Sequence, residues 1–263
     1  MKINPKKSLG QNFLIDKKII EKICNVANIT RNDNVLEIGP GTGNLTDFIL
    51  QKKPKKIHVI EKDGRLIKNL NQRFDNKIII INEDILKYDL KLLSDKDLII
   101  FGNLPYNISS QILVNFINYS YSEFSYKKLV LMFQKEVADR ILAEDNTKHY
   151  GRLSIFSSWK LDIKKIMDIN PSSFFPKPKV MSSLLIFEPK INYIKFKNSK
   201  NLEHITNVFF NQRRKMIKKP INILFKNSKT VINDLNLDTN LRPQNLKKDT
   251  FYKICLIYEK LIN

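Results

Sequence analysis

Cysteine and histidine are scarce in this chain, and each scarcity narrows what it can be. Two cysteines, Cys24 and Cys255, in 263 residues cannot build a disulfide framework or a thiolate metal site. Their expected state is two buried free thiols in a reducing cytoplasm. The three histidines stand apart at positions 58, 149 and 204. No Ser/His/Asp or Cys/His arrangement for nucleophilic catalysis is therefore visible, and no metal is expected. Apolar runs fall far short of the roughly 20 residues that a membrane-spanning helix needs. The basic opening "MKINPKKSLGQNF" lacks the apolar segment of a secretory signal, so a cytoplasmic protein away from membranes is expected.

Acidic residues are in deficit too. Against 46 Lys and Arg stand 26 Asp and Glu, for a net charge of +20. A field of that size suits a polyanionic partner, nucleic acid foremost. A chain rich in Lys, Asn and Ile is also what an A/T-rich genome produces, so charge alone does not decide. Its distribution adds weight, because residues 190–263 hold 16 Lys and Arg against 5 Asp and Glu.

Short β-branched runs alternate with longer helical patterns through the first two-thirds. The runs are "NVLEI" (34–38), "KIHVI" (56–60), "KIIII" (77–81), "DLIIF" (97–101), "LVLMF" (129–133), "DIKKIMDI" (162–169) and "SSLLIF" (182–187). Helical patterns fall near 16–28, 43–52, 63–74, 109–119, 134–143 and 152–160. Near-continuous apolar strands separated by helices imply an α/β fold with a doubly wound sheet covered on both faces. The last two runs have only the Pro-rich "NPSSFFPKPKV" between them, which suits an antiparallel pair at one edge. Beyond "EPKI" (188–191) the pattern is helical only, through "LEHITNVFFNQRRKMI", "TVINDLNL" and "NLKKDTFYKICLIYEKLI". The expected division is residues 1–191 and a small all-helical domain of residues 192–263.

"VLEIGPGTGNLT" (35–46) runs from a strand through a glycine turn into a helix. Gly39, Gly41 and Gly43 do not meet the G-x-G-x-x-G spacing of a pyrophosphate cradle, which counts against NAD or FAD. About twenty residues on, the next strand ends at Glu61, where a ribose-binding acid is expected. The third strand leads into "NEDIL", with Asp84 placed to accept from an adenine amino group. A ribose and an adenine without a pyrophosphate cradle point to S-adenosyl-L-methionine.

"FGNLPYN" (101–107) ends the next apolar strand in amides, a proline and an aromatic ring. An adenine N6 amine is a poor nucleophile, because its lone pair is delocalised into the ring. Acceptors on both its hydrogens would turn the lone pair toward a methyl donor. Asn103 offers a side-chain carbonyl, and the backbone carbonyl of Leu104 or Pro105 offers a second. Pro105 stiffens the turn and Tyr106 offers a stacking face. A base taken out of structured RNA needs a second aromatic surface, for which Phe174 or Phe175 in "SSFFPKPKV" is the candidate.

These motifs resemble those of the KsgA-type small-subunit (16S) ribosomal RNA adenine N6,N6-dimethyltransferases. "KKSLGQNFLID" (6–16), "LEIGPGTGNLT", "NEDIL", "GNLPYNISS" (102–110), "QKEVADRILA" (134–143), "YGRLSI" (150–155), "FFPKPKVMSS" (174–183) and "FFNQRRKMI" (209–217) follow in the family's order. The resemblance implies a Rossmann-like methyltransferase fold, with a seven-stranded mixed sheet whose last strand is antiparallel. It implies that residues 1–191 bind S-adenosyl-L-methionine and catalyse, and that residues 192–263 bind rRNA. The substrate implied is a pair of adjacent adenosines in the 3′-terminal hairpin loop of small-subunit rRNA, within a precursor 30S ribosomal subunit. A monomer is expected. Asn12, Leu14, Gly39, Glu61, Asp84 and Asn103 would meet the cofactor, and Asn103, Leu104, Pro105 and Tyr106 would form the target-base corner. Arg213, Arg214 and Lys215 would touch rRNA phosphate. Two positions depart from the pattern: Met181 stands where relatives usually carry Asp, and Met216 where Thr is frequent.

Two related activities compete. One is methylation of a large-subunit rRNA adenosine, of the macrolide-resistance type; the "NLPYN" form and the "FFNQRRK" segment favour the small subunit. The other is a non-catalytic nucleic-acid-binding relative, which would tolerate loss of Glu61, Asp84 or Asn103. All three are present.

Overall fold

A computed structural model of the chain describes residues 4–119 and 122–261. It divides into two compact units, one of residues 1–138 with 162–189, the other of residues 139–161 with 190–263.

In the first unit the chain runs through β1 (Phe13–Leu14), α1 (Lys17–Ala27), β2 (Asn34–Ile38), α2 (Asn44–Gln51), β3 (Lys56–Glu61), α3 (Gly64–Phe74), β4 (Ile79–Asn82), β5 (Leu98–Asn103), α4 (Ser109–Asn118) and β6 (Tyr126–Gln134). Then come α5 (Lys135–Leu142) and α6 (Arg152–Lys160), followed by β7 (Leu161–Ile169), β8 (Phe174–Phe175) and β9 (Ser182–Pro189). Seven strands form one sheet in the order β4-β3-β2-β5-β6-β9-β7. The pairs β2–β3, β2–β5, β3–β4 and β5–β6 are parallel, and β6–β9 is antiparallel. The expected mixed sheet is there, with the last two runs side by side at one edge.

The central strands are buried on both faces. Val35, Ile57, Val59, Phe101, Val130 and Leu184 join Ile20, Ile23 and Cys24 of α1, Ile49 of α2 and Phe74 of α3 in one buried cluster. The alternate strand residues, Leu36, Ile38, Ile100, Leu129 and Leu131, are buried as well. Period-two alternation sends each set to its own face, and burial of both sets is what a near-continuous apolar strand dictates. Acids start α1 and α3: the Asp16 carboxylate accepts from the amides of Lys18 and Ile19, at 3.1 and 3.3 Å, and Asp63 caps α3.

The second unit adds α7 (Ser199–Phe210), α8 (Lys218–Leu224), α9 (Ser228–Asp234) and α10 (Lys248–Leu261) to α6. Its core is aromatic. Phe209 meets Phe251 edge-on at 5.3 Å between ring centres, and Trp159 lies 4.9 Å from Phe196. The Tyr150 hydroxyl donates to the Leu246 carbonyl at 2.9 Å, and the Glu259 carboxylate accepts from the amides of Lys197 and Asn198 at the start of α7.

Two expectations need correction, and one strand pairing goes beyond them. Residues 139–161, placed above with residues 1–191, cluster with the helical unit, because Tyr150 and Trp159 find their partners there. The "QRRK" segment is not helical. Helix α7 stops at Phe210, and residues 211–215 form successive turns, with Gln212 N–H donating to Phe209 O and Lys215 N–H to Gln212 O. The buried stripe Leu202, Ile205, Phe209 has no apolar successor one turn on, so nothing holds the helix down further. Finally, β1 and β8 pair antiparallel, Phe13 with Phe175 and Leu14 with Phe174, which no periodicity announces.

Candidate active site

Strands β2, β3 and β5 are neighbours, and the order reverses at β2: β3 lies to one side and β5, after a crossover, to the other. A crevice at the carboxyl ends of such strands is where open α/β sheets take ligands. A cavity of about 270 Å³ lies there, and the loops after β2, β3, β4 and β5 all reach it.

The loop after β2 leaves the sheet through Gly39, whose N–H donates to Ile60 O at 2.9 Å. A Cβ at Gly39 (φ 64°) would meet no atom within 4 Å, so the missing side chain leaves open space over the loop. At Gly41 (φ 60°) the reason differs, since a Cβ would come within 2.8 Å of the Phe13 ring. Below the loop, Glu37 is buried and its carboxylate accepts from the Thr46 hydroxyl at 2.6 Å. Burial pushes the Glu37 carboxyl up to about 7.

Glu61 closes β3 only 6% exposed. Its two oxygens accept from the backbone N–H groups of Asp63 (2.8 Å) and Gly41 (3.3 Å). Burial raises its pKa, and those two N–H groups oppose the rise. Asp84 accepts from Lys62 Nζ at 2.8 Å and from the Leu86 N–H at 3.0 Å; the Lys62 ammonium holds its carboxyl below the ordinary range. At the end of β5, Asn103 Nδ2 donates to the Asn12 carbonyl at 2.7 Å. That bond fixes the amide plane and leaves Oδ1 as its acceptor. The Pro105 carbonyl accepts from Ile108 N–H at 3.1 Å, closing the turn. The Tyr106 hydroxyl shares a 2.6 Å bond with Ser182 Oγ, and burial raises its pKa.

Asn12, Gly39, Glu61, Asp84, Asn103, Leu104, Pro105 and Tyr106 thus line one cavity. Leu104 is 1% exposed and borders the cavity from the core side. Leu14 does not line the cavity. It sits in β1, with its carbonyl taken by Asn44 Nδ2 at 2.8 Å, beside a small recess shared with Gly39 and Asn103. Of the aromatic pair, Phe174 is a core residue at 1% exposure and cannot stack on a base as it stands; Phe175 is 57% exposed. Neighbours in a strand point opposite ways, so one of the two had to turn inward. Met181 is exposed, and its carbonyl accepts from Lys135 N–H at 2.9 Å, a contact that any side chain there would allow.

Sequence reasoning missed the apolar walls Leu66, Ile85 and Leu86 and the polar Gln11. Ile85 and Leu86 carried a signal: apolar residues directly after an acid, where a surface loop is ordinarily polar. No histidine or cysteine lines the cavity. Cys24 and Cys255 are buried free thiols, both pushed up to about 12 by burial. Among the described residues no cluster suits a metal ion and no helix is long and apolar enough to cross a membrane.

In the helical unit Arg214, Lys215, Lys218, Lys219 and Arg242 line an open recess of about 570 Å³ with no acidic residue in its wall. Met216 lies there too. Arg213 differs from its neighbours: its guanidinium donates to the carbonyls of Thr147 and Lys148 and to Gln244 Oε1, tying loops of its own unit together.

Comparison with known proteins gives one consistent result. Residues 2–260 match the family described as ribosomal RNA adenine dimethylase. The chain is 58% identical over 261 residues to the ribosomal RNA small subunit methyltransferase A of Pelagibacter ubique, covering 99% of each. It is 41% identical over 261 residues to the protein of that name from Ehrlichia ruminantium, covering 96% of each. Among solved structures it resembles a dimethyladenosine transferase from Plasmodium falciparum, with TM-score 0.80, 29% identity, and coverage of 94% of this chain and 98% of that one. The 23S rRNA methyltransferase ErmE shares the fold, with TM-score 0.70 at 19% identity over 95% of this chain and 100% of that one.

Proposed function

The chain belongs to the ribosomal RNA adenine dimethylase family, and we infer from this premise that it dimethylates the N6 amines of two adjacent adenosines in the 3′-terminal hairpin loop of small-subunit rRNA. The donor is S-adenosyl-L-methionine, the substrate form a precursor 30S ribosomal subunit, and the enzyme a cytoplasmic monomer with a part in small-subunit biogenesis. One observation carries the reading: the amide of Asn103 is pinned through Nδ2, so its oxygen is the acceptor offered to the cavity that Glu61 and Asp84 share.

The residues present fit the donor. Glu61 keeps lone pairs for two ribose hydroxyls, Asp84 can accept from an exocyclic amine, and Leu66, Ile85 and Leu86 offer apolar walls to a purine. The space over Gly39 admits the amino-acid portion. Bound there, S-adenosyl-L-methionine supplies an electrophilic methyl group.

The protein's own work is positioning. Asn103 Oδ1 takes one N6 hydrogen of the target adenine. The Leu104 carbonyl takes the other, since the Pro105 carbonyl already spends one of its two lone pairs on Ile108 N–H. Tyr106, steadied by Ser182, presents its ring to the base, and Phe175 supplies an outer aromatic surface. No strong base is required, because the N6 proton becomes acidic once nitrogen carries the new methyl. Arg214 and Lys215 contact rRNA phosphate in the helical unit. The relatives are named for the small subunit, and the large-subunit enzyme shares only the fold.

The test is mass-spectrometric mapping. Small subunits lacking these methyl groups, incubated with the protein and S-adenosyl-L-methionine, should gain two dimethylated adenosines in the terminal hairpin. With large subunits offered in parallel, methylation in large-subunit rRNA alone would overturn the assignment.

A further inference from the structure

One buried carboxylate beside the site has no role in that chemistry. The Asp63 side chain is 2% exposed, although Lys62 and Gly64 on either side are exposed. Capping α3 requires one of its oxygens, and Oδ1 accepts from Arg65 N–H at 3.2 Å. The carboxylate does much more than cap. Arg65 grips it with Nε at 3.0 Å and Nη2 at 2.7 Å, and Gln11 Nε2 donates to Oδ2 at 3.0 Å. Gln11 in turn accepts the Lys6 N–H at 2.7 Å, and Arg65 Nη1 donates to the Asn4 carbonyl at 3.2 Å. Two points of the N-terminal segment therefore hang on Asp63, directly through Gln11 and indirectly through Arg65. The Asp63 N–H is the donor that holds Glu61 Oε1.

We propose that Gln11, Asp63 and Arg65 are positioning residues: they hold residues 4–12 in place as one wall of the cofactor cavity and couple that wall to the Glu61 carboxylate. The inference rests on the cofactor reading above. Ser8, Gly10 and Asn12 line the cavity, whereas Asp63 and Arg65 do not. If the wall swings away, the Asp63 carboxylate loses the Gln11 donor, and losing a hydrogen bond to a charged group is costly. A ligand held by both Glu61 and the wall binds the closed arrangement better and stabilises it reciprocally. The Arg65 guanidinium holds the Asp63 carboxyl far below the usual range, so the latch stays charged at any ordinary pH.

The experiment uses the full chain and two readouts, amide hydrogen exchange over residues 6–12 and the release rate of S-adenosyl-L-methionine in a chase. Gln11→Ala should speed exchange in that segment and raise the release rate about tenfold, as for loss of one hydrogen bond to a charged group. Gln11 itself lines the cavity, so Arg65→Ala is the decisive variant: it touches no ligand, and it should raise both rates about threefold through Asn4 and Asp63. Asp63→Asn keeps the helix cap and should behave like Gln11→Ala. Unchanged exchange in Arg65→Ala and Gln11→Ala would overturn the latch. Faster exchange with unchanged release would overturn the coupling. A wild-type chain that retains no S-adenosyl-L-methionine would overturn the cofactor reading, and the coupling with it, in a way distinct from either variant result.

Discussion

The two units treat charge in opposite ways. In the first, 26 Lys and Arg stand with 18 Asp and Glu, and the groups around the cavity are consumed internally. Glu61 is met by two backbone N–H groups, Asp84 by Lys62, and Asp63 by Arg65 and Gln11. In the second, 20 Lys and Arg stand against 8 Asp and Glu. Among the described residues, none of Arg214, Lys215, Lys218, Lys219 and Arg242 in the recess forms an ion pair. Pairing in the first unit fixes atoms to fractions of an ångström, as methyl transfer demands. Open cations in the second leave a field whose target is charge rather than shape.

The contrast predicts how each unit breaks. The largest effect should follow removal of one oriented atom. Asn103→Ala should cut methyl transfer roughly 10²- to 10³-fold in kcat, while S-adenosyl-L-methionine affinity, measured calorimetrically, falls by less than about tenfold. Near-normal turnover would leave the corner without a role. Next, reversing both Arg214 and Lys215 to Glu should weaken binding to unmethylated small subunits and reduce the slope of log affinity against log salt by about 1 to 2. Arg213→Ala should instead lower stability by about 1 kcal/mol, seen in thermal unfolding, because its guanidinium bridges carbonyls.

Smaller effects sharpen the picture of the first unit. Tyr106→Phe loses the Ser182 bond alone and should cost about 1 kcal/mol or less. Tyr106→Ala should slow turnover more than it weakens cofactor binding; the reverse pattern would move Tyr106 to the cofactor. The smallest is a pH dependence. Burial raises the Glu37 carboxyl from an ordinary 4.5 to about 7, so the folded state favours its protonated form. For an acid whose pKa is raised on folding, the stability contribution is full below about pH 4.5 and is lost as pH rises through about 7. Glu37→Gln should therefore gain stability relative to wild type between about pH 5 and pH 8, as chemical denaturation at several pH values would show. A difference that stays flat with pH would mean that Glu37 is ionised throughout.

Legibility followed length and periodicity. The β-branched runs announce all seven strands of the large sheet, and they place Glu61, Asp84 and Asn103 at or just beyond the carboxyl ends of three of them. Strands β1 and β8 have two residues each, too few for any period to register. That same shortness hid which of Phe174 and Phe175 faces the core, since alternation states that one does and register states which. The "QRRK" segment read as helix because charge tolerates a helical surface, whereas continuation required a buried residue that is not there. Residues 139–161 lie between strands of the first unit in sequence, whereas their partners, the Leu246 carbonyl and the Phe196 ring among them, lie far along the chain.

The pairing of Phe13 and Leu14 with Phe175 and Phe174 has a consequence for how the molecule is made. Ile15 N–H donates to Ser173 O, and Ser173 Oγ to Asp16 Oδ2, so the first strand takes its ladder partner from a segment translated much later. While the chain is emerging from the ribosome, the three parallel strands β2, β3 and β5 can pair as soon as Asn103 is out. Strand β1 must wait until residue 175 has followed. Of the strands in the first unit, β1 is synthesised first and paired among the last.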